Sequence, residues 1–291
     1  MRTSLITLLA MTAATGCATS ADYAHTAEFY VQARGVAYTD DASAQVGMYG
    51  VTCAINPSTG MIEEDVDIED EDDDVKDSFD GDALIADSDS FTVYRPSGGF
   101  GMGNLDSVPV PGLQDVGFSA DGIVSLAADG CAVDFHGLDV QVSLGEVCDT
   151  ATLASHGSQA RVAVLDGTTA HLVGSDGSVI ALGAASDIAM GDSTVYTASN
   201  DVVSAFDLDG TPLWSRSFDS TITDLTNMVD AAAVMMDTRQ GYGEFLTLDS
   251  LTGEETSQML TPTAARQVVV SQSGDELAMV LDEAIHFFNV Q

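Results

Sequence analysis

Six glycine-closed turns divide the chain at a nearly constant interval, and that interval limits the architectures open to it. The turns run from Asn56 to Gly60, Arg95 to Gly98, Asp134 to Gly137, Gly174 to Gly177, Asp207 to Gly210 and Asp249 to Gly253. The glycine-to-glycine steps are 38, 39, 40, 33 and 43 residues. Between the turns lie short runs rich in β-branched and aromatic residues, clearest from Val195 to Trp214, where an Asn200-Asp201 turn and an Asp209-Gly210 turn separate three runs. Helical periodicity is nowhere sustained over three turns. One four-stranded sheet cannot bury both of its faces, whereas copies stacked around a ring bury one another. A strand-only repeat near forty residues therefore predicts an all-β β-propeller of four-stranded blades, most simply seven.

The expected strands of the best-defined blade are 187–190, 194–198, 202–206 and 213–218. The last blade has three strands of its own, 267–270, 276–281 and 284–290. Its open edge needs a partner, and Glu28-Phe29-Tyr30-Val31-Gln32 is the N-terminal strand expected to complete it and close the ring.

Two local patterns resemble known repeats. Ala205-Phe206-Asp207-Leu208-Asp209-Gly210-Thr211-Pro212-Leu213-Trp214 resembles the repeat of pyrroloquinoline-quinone-like propellers, in which the tryptophan docks one blade onto the next. That resemblance implies a blade-docking role for Trp214, the only tryptophan. Val116-Gly117-Phe118-Ser119-Ala120-Asp121-Gly122 looks like the first-strand signature of WD-like and lactonase-type propellers.

The N-terminus reads as an address. Arg2 precedes the apolar segment from Leu5 to Met11, too short to span a bilayer, and small residues lead to Cys17. This resembles the lipobox of bacterial lipoproteins. The resemblance implies a signal peptide over 1–16, lipidation of Cys17, and, because Ala18 follows, an outer-membrane destination. The alternative is an ordinary signal peptide cut after Ala18 or Ala21. Residues 17–26 are then a polar tether and 27–291 the propeller.

Composition restricts the partners. There are 46 Asp+Glu against 8 Lys+Arg, a net charge of -38, and Lys76 is the only lysine. Nucleic acid is excluded as a partner for want of cations to meet phosphates, and the membrane is reached through the lipid alone. Acidity of this order suits either a solvated surface in salty surroundings or recruitment of cations or a basic partner. In an exported chain Cys131 and Cys148 are candidates for a disulfide, with buried unpaired cysteines as the alternative, and Cys53 is left over.

Thirteen of the twenty residues from Glu63 to Asp82 are acidic; like charges this dense repel, so the stretch is expected to be an insertion between two blades. Asp72, Asp73, Asp74, Asp80 and Asp82 are its candidate calcium ligands, since hard cations take six to eight oxygens. No Asp-x-Asp-x-Asp-Gly loop with a terminal Glu is present, and Asp77 to Asp82 is a distant echo of one. His25, His136, His156, His171 and His286 show no metal-ligand spacing and read as solvated or strand-surface residues. Catalytic motifs are missing: there is no Gly-x-Ser-x-Gly elbow, and Gly98 to Gly103 is followed by no helix.

These features favour an envelope-anchored, non-catalytic propeller that binds or scaffolds protein partners, without a cofactor. A lactonase-like or quinone-dependent enzyme is the first alternative, and predicts several His, Asn or Glu converging in the axial channel. A calcium-stabilised surface or adhesion protein is the second.

Overall fold

Runs of Val, Ile, Thr and aromatic residues separated by glycine turns favour antiparallel hairpins. The computed structural model accordingly consists of twenty-eight strands, β1 to β28, with no helix among the described residues. Those residues are 23–30, 35–40, 43–48, 51–67, 74–79, 82–94, 106–145, 148, 150–228, 231–238, 241–261, 263–271, 273–281 and 284–290.

After β1 (Tyr23–Phe29), the first blade is β2 (Gly35–Asp40), β3 (Ser43–Met48), β4 (Val51–Asn56) and β5 (Met61–Asp67). The second is β6 (Asp74–Phe79), β7 (Asp82–Ala86), β8 (Ser90–Tyr94) and β9 (Asp106–Pro109). The third is β10 (Leu113–Ser119), β11 (Gly122–Ala127), β12 (Ala132–Phe135) and β13 (Val140–Ser143). The fourth is β14 (Ala151–Ala154), β15 (Arg161–Asp166), β16 (Thr169–Gly174) and β17 (Val179–Ala184). The fifth is β18 (Asp187–Met190), β19 (Thr194–Ser199), β20 (Val202–Asp207) and β21 (Pro212–Ser217). The sixth is β22 (Thr221–Met228), β23 (Ala231–Asp237), β24 (Gly243–Asp249) and β25 (Glu255–Thr261). The last is β26 (Gln267–Val270), β27 (Glu276–Val280) and β28 (Ile285–Val290), with β1 as its fourth strand.

Each of the seven sheets is four-stranded and antiparallel. Their first strands pack in the cyclic order β2, β6, β10, β14, β18, β22, β26 and back to β2, so the sheets close into a propeller. Within every blade the turn between first and second strands and the turn between third and fourth lie on one face, here called lower. Second-to-third turns and the crossovers between blades lie on the other, upper, face. Core clusters form between neighbouring sheets; one joins Ala198, Val203 and Ala205 of the fifth blade to Leu225, Val234 and Leu248 of the sixth.

The closing strand begins earlier than the sequence suggests. It covers Tyr23–Phe29 instead of 28–32, and pairs with β28 from Tyr23↔Val290 to Phe29↔Ile285. Residues 23–26 are therefore sheet, not tether; 17–22, with Cys17, fall outside the described residues. The segment from Tyr23 to Thr26 has little apolar density, and it is backbone pairing that makes it a strand. Ala27 and Phe29 then pack with Phe287 and Val36 at the junction of the last and first blades.

The acidic stretch also departs from expectation. Residues 63–67 belong to β5, 74–79 form β6 and Asp82 opens β7, so the crossover itself is only 68–73, outside the described residues. β5 is the outermost strand of its sheet, paired only with β4, and charge on a sheet edge discourages pairing with another chain.

Candidate functional site

The seven first strands surround an axial channel of about 770 Å³. Adjacent first strands splay apart around such a channel and share no ladder of hydrogen bonds, so their inner amides need other acceptors. Aspartates supply them. Asp115 on β10 accepts the N–H of Leu153 on β14 at 2.8 Å and that of Val116 at 3.0 Å. Asp224 on β22 accepts the N–H of Val268 on β26 at 2.7 Å. Asp187 on β18 accepts the N–H of Ile188 at 2.8 Å, and the Leu225 amide of β22 also bonds its carboxylate. Asp77 on β6 accepts the N–H of Phe118 on β10 and the hydroxyl of Ser155 on β14, both at 2.9 Å. Each carboxylate clasps its own blade to the next.

Burial raises the proton affinity of these groups. It pushes Asp187 up to about 6 against the pull of the Ile188 and Leu225 amides. Asp224 rises well above the usual carboxylate range through burial and then through the charge of Asp187. Asp115 is raised by burial and drawn back by the Leu153 amide, by Lys76 and by the Val116 amide. Asp77, Asp115, Asp224 and Lys76 line the channel with Asn227 and Gln267. Asn227 lies against Gly191 of the fifth blade, where a Cβ would stand 2.2 Å from its Oδ1. The channel wall is thus polar: backbone amides engage Asp77, Asp115 and Asp224, and Asp192 accepts from the Ser158 hydroxyl and the Gln159 side-chain amide.

The outer seams use a second device. Trp214 on β21 donates its indole N–H to the Ser250 carbonyl of the sixth blade at 2.9 Å, and its ring covers Gly253. Ile180 on β17 covers Gly210, and Ala27 on β1 approaches Gly60. The three glycines have φ of +76°, +65° and +67° for Gly210, Gly60 and Gly253, in the left-handed region that glycine adopts without strain. Trp214 is therefore the largest member of a recurring seam contact. The aspartates of these turns cap them: Asp249 accepts the N–H groups of Leu251 and Thr252, Asp207 those of Asp209 and Thr211. The Thr252 hydroxyl and amide hold Asp249 below the usual carboxylate range, and the Thr211 amide does the same for Asp207.

Cys131 and Cys148 are joined in a disulfide, Cα–Cα 5.1 Å, between a turn of the third blade and the crossover into the fourth. Of the calcium candidates, Asp72, Asp73 and Asp80 lie outside the described residues. Asp74 and Asp82 do not come together. They begin paired antiparallel strands in which Asp74 faces Ala86 and Asp82 faces Phe79, so about five residues of strand, roughly 16 Å, separate them. On the upper face, Asp87 in the turn between β7 and β8 accepts the N–H groups of Asp89 and Ser90, both at 2.6 Å.

The histidines correct the sequence reading in one place. His25 and His286, together with Glu28, bring their ligand atoms within 4.8 Å of one another. His136 is occupied by Ser125 at 2.8 Å, and His156 by Ser158 at 2.9 Å. Burial lowers the pKa of His286, Glu28 raises it and His25 lowers it.

No family model matches the chain, and no curated protein matches it. Among solved structures it is similar to a chain of the mitotic checkpoint complex, with a TM-score of 0.67 over 100% of this chain and 99% of that one, at 14% identity. At that identity the likeness shows the fold, an all-β propeller of four-stranded antiparallel blades.

Proposed function

We propose that this propeller is a non-catalytic protein-binding module held at the bacterial envelope by a lipid on Cys17. One observation carries the binding role. Large apolar side chains stand exposed at the same lower-face corner, where the third strand turns into the fourth, in five blades. They are Met61 and Ile62, Leu138, Val179, Leu213 and Leu251. Met61 is 67% and Leu251 70% exposed. Tyr30, Tyr242 and Leu260 lie on the upper side, so six of the nine exposed large apolar side chains among the described residues gather at this corner, and a one-sided set of that kind marks an interaction site. The third to sixth blades contribute consecutively, giving a curved, sparsely apolar rim suited to an extended protein partner. A structure containing a similar chain is itself a multi-protein complex, which is consistent with this use of the fold.

The leader that resembles a lipobox and the acidic surface support the envelope address. The channel carboxylates serve the blade seams, which favours a scaffold over a reaction chamber. The test is a photo-crosslinking amino acid placed at Leu251 or Met61, with Leu260 on the upper side as control, in intact cells. The expected result is a discrete adduct from the corner positions, lost at Leu251 with Leu213→Asp, together with a diacylated Cys17 in the mass spectrum of the mature N-terminus. Adducts from all three positions alike, or from Leu260 alone, overturn the proposed face; an unmodified N-terminus overturns the anchor.

A further inference from the structure

His25, Glu28 and His286 lie where the two ends of the chain meet, His25 and Glu28 on β1 and His286 on the adjoining β28. Glu28 is the cross-strand partner of His286. Its Oε1 stands 3.5 Å from His25 Nε2 and 3.6 Å from His286 Nδ1. Zinc–ligand bonds of about 2.0–2.2 Å place neighbouring ligand atoms of a tetrahedral site roughly 3.3 Å apart. Two of the three ligand-to-ligand spacings are thus close to those of a bound ion, and the third pair lies within 4.8 Å, within reach of a rotation of the exposed His25 side chain.

The surroundings are those of a metal ligand set. Tyr30 donates its hydroxyl to Oε2 of Glu28 at 2.5 Å, which leaves Oε1 facing the imidazoles. Phe288 lies edge-on to His25 at 5.4 Å and stacks near His286 at 6.5 Å, an apolar wall beside the ligands. Two imidazoles and one carboxylate suit a borderline transition-metal ion, whereas calcium requires six or more oxygens.

We propose that these three residues bind one divalent transition-metal ion, with zinc the best match, and that the ion pins the closing strand to the end of the chain. Three protein ligands leave a fourth position for water. Before the ring closes, the ligands lie on opposite ends of the chain and no site exists. Metal binding is therefore coupled to closure, and the ion stabilises the closed ring by mass action.

The test uses the full chain stripped with a chelator and titrated with zinc in millimolar magnesium, which saturates non-specific acidic positions. The expected result is one zinc per chain and a melting temperature several degrees higher. His25→Ala and His286→Ala each weaken binding by more than ~100-fold and Tyr30→Phe by about 10-fold, while His156→Ala leaves it unchanged. Equal zinc affinity in wild type and the His25→Ala/His286→Ala double variant overturns the proposal, as does a melting temperature indifferent to zinc. Should the double variant fail to fold, cobalt decides on the wild-type chain. Intense visible bands of a four- or five-coordinate ion support the site, and the weak spectrum of an octahedral ion overturns it.

Discussion

Trp214 and Ser250 meet across the boundary between the fifth and sixth blades, the indole N–H donating to the main-chain carbonyl at 2.9 Å. The contact adds a directional bond to the apolar packing of that seam, and beside it Arg216 of the same strand donates to the Gly253 carbonyl at 3.0 Å and pairs with Glu255 at 3.1 Å. Trp214→Phe should cost about 1 kcal/mol, the net value of the lost hydrogen bond. Trp214→Ala should cost about 3 kcal/mol, near the lower end for a buried aromatic because the side chain is partly exposed. Urea unfolding followed by circular dichroism checks both, since either change removes the only tryptophan signal.

Gly253 is the other half of that seam. A Cβ there would stand 2.7 Å from Cδ2 of Trp214 on a backbone with φ of +67°. Gly253→Ala should therefore destabilise by about 2 kcal/mol, from strain and overpacking together. In a Trp214→Ala background the overpacking disappears and only the strain remains. A double-mutant cycle should show coupling of more than ~0.5 kcal/mol; additivity within error would mean that ring and glycine do not press on one another.

Asp187 gives the fold a pH response of unusual sign. Its folded pKa is about 6, above the roughly 3.9 of an unfolded aspartate. Between those values the folded state binds more protons, so this group's contribution to stability falls as pH rises from about 4 to about 6. Asp207 and Asp249, whose pKa values are lowered, contribute in the opposite sense: their stabilisation is present above the unfolded pKa and is lost as pH falls through the folded one. Asp187→Asn removes the first effect and, with the charge, part of the upward shift of Asp224, while Asp207 and Asp249 keep their contributions. The stability difference between variant and wild type should therefore shift in the variant's favour, by on the order of 2 kcal/mol, between pH 4 and pH 7.5. Denaturant titrations at four or five pH values measure it, and a difference independent of pH would show that burial does not perturb this carboxyl.

The disulfide between Cys131 and Cys148 closes a separation of 17 residues. Its removal by Cys131→Ala/Cys148→Ala should lower stability by about 3 kcal/mol in the chain-entropy account. A matching drop in melting temperature on adding reductant to the wild type, and none on adding it to the variant, separates loss of the crosslink from loss of packing.

Much of the architecture was legible because it is written locally. Gly60, Gly177, Gly210 and Gly253 mark their turns through positive φ, and the runs between them are apolar enough to read as strands. β14 leaves no mark of this kind: Ala151–Ala154 is short and carries no strong alternation. The strand at Tyr23 was set too late because its identity comes from pairing with β28, at the far end of the sequence. The same distance hid the His25, Glu28 and His286 cluster, which no spacing rule can reveal when its members sit at opposite ends of the chain. The aspartate clasps do have a signal in the sequence. Asp115-Val116, Asp187-Ile188 and Asp224-Leu225 each place a carboxylate just before an apolar residue in a first strand, where an unpaired charge would be costly.

The origin of β1 has a consequence for biosynthesis. Six of the sheets are built from consecutive segments and become able to form as each is produced, but the remaining one combines the first strand made with the last three. Until β28 emerges, the segment holding Ala27 and Phe29 has no docking place, and the last sheet keeps an open edge. Such an edge is a template for pairing with other molecules. The slowest and most vulnerable moment in the folding of this ring should be the meeting of β1 with β28, after the other six sheets are in place.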